Sequence, residues 1–347
     1  AAHRQRCLSL FPIDRDFFNE GDNTMNKRNL ISALVLSCFA MGVQAQGAAY
    51  PNKPIRLVVG FAPGGAADYV ARAISDAMGK AIGQSIIVEN RAGAGSSIAA
   101  ENVAKSAPDG YSILLASPSS ISVNPALNPK LNYTPKDLVP ITKVTTSPLV
   151  IAVNPNIGVN SVQDLIARAK QSPGKINYAT SGNGSAPHLG AALFTQLTGV
   201  DMVHIPFRGG APAIQSVIAG DTQVTFGTPP SVLPMIQAGR LKGLAVSTRN
   251  SSALVPGLPG MQEAKLPEYA IEFWYGLFVP VGTPPAVMKR IFDAAQSAMA
   301  QPSVKAALAR EGTDVSVSTT PEQFAAFLTE DAKFWVNLVK KADVKLD

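Results

Sequence analysis

Three stretches of small residues are built as if to hold something. Residues 60–68 read GFAPGGAAD: an apolar run through Phe61, a turn at Pro63, Gly64 and Gly65, then Ala66, Ala67 and Asp68 opening a helical pattern. The start of a helix presents free N–H groups and the positive end of its dipole, and small residues let an anion come close. A nucleotide phosphate loop would need G-x-x-x-x-G-K-[ST], and a dinucleotide loop G-x-G-x-x-G; this stretch has neither spacing. A carboxylate fits as well as a phosphate here, and a tight turn holding no ligand is the competing reading. Residues 181–188, SGNGSAPH, repeat the arrangement with Ser181, Gly182, Asn183, Gly184 and Ser185 before a helix starting near Pro187. FRGGAP follows at 207–212, where Arg208 precedes Gly209 and Ala211. Its guanidinium is either a partner for a carboxylate in a two-pronged ion pair or a surface charge.

Catalysis has little to draw on. Cysteine occurs only at Cys7 and Cys38, and histidine at His3, His188 and His204. His188, near a helix start, reads as a structural or capping residue, and His204, in the alternating DMVHIPF, as a strand residue. H-E-x-x-H and G-x-S-x-G are both absent. No catalytic residue, metal ligand set or cofactor is expected.

The elements that would position these loops repeat one theme. A β-branched apolar run ends in small residues and a helical pattern follows, as in IRLVVGFAPGGAADYVARAISDAM, INYATSGNGSAPHLGAALFTQLTG and VHIPFRGGAPAIQSVIAGD. Such alternation predicts an α/β fold with mostly parallel sheets. Gly199, Gly220 and Gly239 stand where helices should stop. Ser161, with Asp164 three residues on, reads as an N-cap. TPEQFAAFLTEDAKFWVNLVKKA predicts a long amphipathic helix turning Phe324, Phe327, Leu328, Phe334, Trp335 and Leu338 toward a core. The apolar strands PLVIAVNPN at 148–156 and EFWYGLFVPVGTPP at 272–285 suggest two chain crossings. The expected lobes are 47–148 plus 272–347, and 149–271, with a ligand between them.

The 347 residues carry a net charge of +6, with only 16% charged side chains. Lys and Arg are scattered rather than gathered in a stripe, so nucleic acid is not expected as a partner. From Met25, MNKRNLISALVLSCFAMGVQAQ has the basic start, apolar middle and small-residue end of an export signal. Residues 25–45 are therefore expected to be a signal peptide cleaved after Ala45. Residues 1–24 are expected to be a gene-calling artefact upstream of the true start. The mature chain would then hold no cysteine, which suits an oxidising compartment.

Several motifs in order carry a family likeness. YPNKPIRLVVGFAPGGAADYVAR, ENRAGAGSSIAAENVAKSAPDGYSILLAS, HIPFRGGAPA and EFWYGLFVPVGTP together resemble the Bug (TctC-like) family, the extracytoplasmic solute receptors of tripartite tricarboxylate transporters. The likeness runs from about Tyr50 to Asp347. It implies a two-lobed periplasmic-binding-protein fold of the second type, closing on a small organic anion, with permease subunits in the membrane as partner and the receptor a monomer. It also implies that the loops hold a ligand carboxylate largely through backbone N–H groups and water. Carried onto this chain, that means Phe61, Pro63, Gly64, Gly65, Ala66, Ala67 and Asp68 from one lobe. From the other it means Ser181, Gly182, Asn183, Gly184, Ser185, Arg208, Gly209 and Ala211. Three positions depart from the family pattern: Ala66-Ala67 where a hydroxyl is common, Arg208 where Lys is common, and Gly227-Thr228-Pro229 where an Asp is common. These departures favour a dicarboxylate or aromatic carboxylate over an amino acid. A ligand sensor for a membrane signalling protein remains the alternative role, and an acidic amino acid the alternative ligand.

Overall fold

The computed structural model describes residues 50–341; the leader and signal peptide expected at 1–24 and 25–45 lie outside the described residues. Strand β1 (Ile55–Val59) leads into helix α1 (Ala66–Ile82), then β2 (Ile86–Asn90), α2 (Ser97–Ala104), β3 (Ser112–Ala116), the short α3 (Asn124–Leu127) and β4 (Leu138–Pro148). The chain then crosses into β5 (Val150–Val153), α4 (Val162–Gln171), β6 (Asn177–Thr180), α5 (Ala186–Thr198), β7 (Val203–Pro206), α6 (Gly210–Ala219), β8 (Val224–Gly227), α7 (Pro229–Gln237) and β9 (Lys242–Val246). It returns through β10 (Glu272–Pro280), α8 (Pro285–Ala300), α9 (Pro302–Arg310), β11 (Asp314–Val315) and α10 (Pro321–Lys341).

Two sheets result, in the orders β11-β4-β10-β3-β1-β2 and β7-β6-β8-β5-β9. They are mixed, not mostly parallel. The β1–β2, β1–β3, β6–β7 and β6–β8 pairs are parallel, but β10 runs antiparallel to β3 and β4, and β5 to β8 and β9. The βαβ units supply the parallel pairs. Apart from the short β11–β4 pair, the antiparallel ones come from β5 and β10, the strands that open each new passage between sheets and insert without a crossover helix.

Both faces of each sheet are covered, and side chains alternate between them as the pleat requires. Leu57 and Val59 pack under α1 and α8, whereas Val58 faces Ala99, Val103 and Phe324. In the second sheet Ile151 and Val153 face α5, and Val150 and Ala152 face α6 and α7. Helix ends follow local chemistry. Gly199 and Gly220 close α5 and α6 in the left-handed conformation, and Gly239, also left-handed, follows α7 by two residues. The Ser161 hydroxyl accepts the Asp164 N–H at 3.1 Å to cap α4.

Helix α10 joins the two lobes. Phe324 packs with Trp274 and Phe278 of the first lobe, while Trp335, Leu338 and Val339 enter the second-lobe core around Leu189 and Phe194. Phe334 does not turn inward as its helical spacing predicted. It is 46% exposed, because the helix buries a stripe through Phe324, Trp335, Leu338 and Val339, and Phe334 stands about 100° round the helix from Trp335. Asp331 sits between the two indoles, accepting Trp274 Nε1–H at 2.9 Å and Trp335 Nε1–H at 3.0 Å. Burial pushes its pKa up, and the indoles and Lys143 only partly offset this, leaving it at about 6.

Candidate ligand-binding site

Four helices point their N-termini at one cavity between the lobes. Gly65, Ala66 and Ala67 come from the start of α1, Ala186 and Pro187 from α5, Gly210 and Ala213 from α6, and Thr228 and Ser231 from α7. None of the four has a side-chain cap, in contrast to α4 with its Ser161. Their first-turn N–H groups are therefore not claimed by caps, and the dipoles add at the cavity. Prolines set the distribution of donors. Helix α7 begins Pro229-Pro230, so it contributes its dipole and two hydroxyls, Thr228 and Ser231, 3.3 Å apart, rather than first-turn N–H groups.

The remaining wall is neutral: Phe61, Ser117, Ser181, Thr225, Gly227, Ile214 and Tyr275. Burial pushes the Tyr275 phenol far above its ordinary pKa, so it stays a neutral hydroxyl. No charged side chain lines this cavity. The space in it open to water-sized groups is about 30 Å³. At ~10–15 Å³ per water-sized group, that suits the two oxygens of one carboxylate. An uncharged pocket of helix N-termini can hold an anion by backbone donors and dipoles alone.

The loops forming it are braced from behind. Asp68 is buried and lines no part of the cavity. Its carboxylate accepts the Gly64 N–H at 3.0 Å, Arg72 Nε at 3.0 Å and Nη2 at 2.9 Å, and Asn90 Nδ2 at 3.0 Å. Asn90 Nδ2 also donates to the Phe61 carbonyl at 3.0 Å, tying the loop's start to its end. Burial alone would raise the Asp68 pKa; the hydrogen bonds from Arg72, Gly64 and Asn90, with the Arg72 charge, outweigh it and hold the carboxyl below its ordinary value.

The second-lobe loop rests on rings and hydroxyls. Gly184 N–H donates to His188 Nδ1 at 3.0 Å, and Gly182 N–H to Thr180 Oγ1 at 3.2 Å. Thr180 Oγ1 lies 2.6 Å from His204 Nε2. The His188 and His204 rings stack at 4.0 Å, with Tyr178 stacked on His204 at 5.0 Å.

Of the residues expected from sequence, the structure brings Phe61, Gly65, Ala66, Ala67 and Ser181 into this cavity. Gly182, Asn183 and Arg208 line a second, larger chamber of about 470 Å³, which shares Phe61 and Ser181 with the first. Pro63, Gly64, Asp68, Gly184, Ser185, Gly209 and Ala211 line neither. Gly64, Asp68 and Gly184 are braces, and Pro63 and Ala211 face solvent. Gly209 is where the lobes touch: a Cβ there would stand 2.9 Å from the Ala62 Cβ. The next residue, Gly210, is the one in the cavity wall.

Sequence reasoning missed Ser117, Tyr275, Thr225 and Ser231. Ser117 carried a signal, since LLASPSS ends strand β3 in a hydroxyl-rich turn. Tyr275 carried none, lying in the middle of an apolar strand. No group of three or more metal-ligating side chains occurs among the described residues. No helix among them is long and apolar enough to cross a membrane.

Two α/β lobes closed over a small cavity of helix N-termini define a solute-binding protein of the periplasmic-binding type. The chain belongs to the tripartite tricarboxylate transporter family receptors, whose family model matches residues 70–344. That family consists of binding receptors, not enzymes. Protein BugT of Bordetella pertussis is 33% identical over 326 residues, 93% of this chain and all of the relative. Among solved structures, periplasmic binding protein BugD is 30% identical, with a TM-score of 0.81 over 86% of this chain and all of its own. The R. palustris protein Rpa4515, solved with adipate, is 29% identical, with a TM-score of 0.82 over the same shares.

Proposed function

We propose that this protein is a periplasmic receptor that closes on a small carboxylated solute and hands it to the membrane subunits of a tripartite tricarboxylate transporter. The observation that carries the reading is the uncharged cavity into which α1, α5, α6 and α7 all point uncapped N-termini. A carboxylate is a small anion that such a site can hold without a counter-charge. The adipate bound by Rpa4515 supports the same ligand class. The export signal read at 25–45 supports the compartment.

With this reading go lobe limits of 47–148 plus 272–347, and 149–271. They are supported by the passage from β4 to β5 at Leu149 and the return at β10. Closure brings Gly209 against Ala62 and Gly65 near Gly210, so ligand contacts from both lobes favour the closed state. An amino acid fits poorly, because no carboxylate in the cavity wall could pair with its ammonium group.

A thermal-shift screen of mono-, di- and tricarboxylates, aromatic acids, amino acids, phosphate and neutral sugars tests this. A ligand that binds only the folded chain raises its Tm, by about 2.7 kcal/mol of stabilisation at a hundredfold excess over Kd. Carboxylates should give the largest shifts. A response to phosphate or sugars with none to any carboxylate would overturn the proposal.

A further inference from the structure

We infer that Gly95 is the stop that sets how far the two lobes close, and with it the room left for the solute; this rests on the closing motion proposed above and not on the chemistry of the solute. Gly95 belongs to the 93–96 turn of the first lobe, and Asn183 to the loop before α5 in the second. They meet backbone to backbone, and a Cβ on Gly95 would overlap the Asn183 carbonyl oxygen. A side chain could swing out of such a contact. A backbone carbonyl gives way only if its loop moves.

The turn is held so that it does not yield. Gly93, Ala94, Gly95 and Ser96 all have positive φ, at 135°, 45°, 56° and 76°. Ala94 and Ser96 are two of the three residues other than glycine with positive φ among the described residues. Such a run is strained and persists only where its surroundings hold it. Asn124, 1% exposed, supplies the hold: its Nδ2 lies 3.0 Å from the Ala94 carbonyl oxygen, 2.8 Å from that of Gly95 and 2.8 Å from Ser97 Oγ. Behind the turn, the buried Ser96 packs on Gly60 just past the end of β1, its hydroxyl filling the place a side chain there would take.

The position of this contact decides what it controls. Gly95 and Asn183 both line the chamber of about 470 Å³, so their contact fixes the distance between its two walls. A larger residue at position 95 would hold the walls apart. A solute gripped from both sides would then lose contacts to one lobe, and the closed state would lose the advantage those contacts give it.

Disulfide trapping tests this without any solute. Gly65→Cys and Gly210→Cys place thiols across the cleft, where a Cβ on Gly210 would stand 3.9 Å from the Gly65 Cα, within the reach of a disulfide, with the movable Ser231 hydroxyl to displace. With Cys7→Ser and Cys38→Ser the chain has no other cysteine. The bond forms in the closed state, so its rate of formation counts closed molecules. Gly95→Ala should slow it about tenfold or more, the scale expected when a methyl is forced into a packed contact. Gly158→Ala, at a similar left-handed φ of 72° but with nothing within 4 Å of the new Cβ, should leave the rate unchanged. A Cβ on Gly95 would also stand 2.8 Å from Asn124 Nδ2, so the rates are compared again in an Asn124→Ala chain, where the slowing should persist. Melting of each variant checks that the fold is intact. Equal rates for Gly95→Ala and Gly158→Ala, or a slowing that disappears with Asn124→Ala, would overturn the stop and leave the receptor reading standing. Absence of the bond in the parent pair would remove the closing motion itself, and the stop with it.

Discussion

The two loops that face each other across the cavity are held in opposite ways. The first-lobe loop is clasped by an ionic group, with Asp68 drawing in Gly64, Arg72 and Asn90. The second-lobe loop is propped by a hydroxyl and by rings, Thr180 under Gly182 and the His188–His204 stack under Gly184. In both, the bracing side chains stand behind the loop, and apart from Phe61 the loop residues that face the cavity are small. A rigid loop keeps its N–H groups aimed without reorganisation on binding. A charge can serve as a brace provided it is already satisfied, as Asp68 is. An unsatisfied carboxylate beside the cavity would repel the anion it is built to hold.

The largest effect should follow from breaking the ionic clasp. Asp68→Ala leaves the Gly64 and Asn90 donors without their carboxylate. Its loss should cost about 2 kcal/mol or more in stability, a drop in Tm on the order of 5 °C. Carboxylate affinity should fall with it, by about tenfold or more at 1.4 kcal/mol per decade, and Asp68→Asn should fall between. Melting and calorimetry read both quantities. Unchanged affinity would mean that the loop keeps its shape without the clasp.

Acid should separate the buried Asp68 from the half-buried Asp331, because their pKa shifts have opposite signs. The Asp68 pKa is depressed, so its stabilising contribution is present above the ordinary carboxylate value and lost as pH falls through its lower folded value. The Asp331 pKa is raised to about 6, so the folded state favours its protonated form. That contribution is complete below the unfolded pKa near 3.8 and is lost as pH rises through about 6. Asp331→Asn should flatten the fall in stability between about pH 4 and 6. Both tryptophans touch Asp331, so their fluorescence should follow the same titration in the parent chain. A pH profile identical in parent and variant would remove Asp331 as its source.

The smallest effect should come from the hydroxyl prop. Thr180→Val takes one hydroxyl from Gly182 and His204 and should cost about 1 kcal/mol, a few degrees in Tm. A loss as large as that of Asp68→Ala would erase the contrast between the two loops.

Much of this was legible along the chain. The strand-to-small-residue-to-helix theme yielded the α/β class and the two main loops, and Gly65, Ala66, Ala67 and Ser181 were found directly. Asp68 was found in position but not in role. A carboxylate in a helix's first turn looks the same in sequence whether it meets a ligand or turns back on its own loop. Arg208 was found as a cation near a loop, but not as the only charge lining the chambers.

The sequence by itself determined what depends on neighbours a few residues apart: the capped start of α4, the glycine stops of α5 and α6, and the small-residue turns at Gly65 and Ser185. It also determined that the chain beyond Ala45 has no cysteine. Tertiary structure decided what depends on residues far apart meeting. It turned Tyr275, from the middle of an apolar strand, into cavity wall. It brought four helix N-termini from two lobes to one point, laid α10 across both cores so that Phe334 faces outward, and divided the cleft into a neutral chamber and a cationic one. The reason is physical: caps and turns are satisfied within one stretch of backbone, whereas a cavity wall is set by how the two lobes pack.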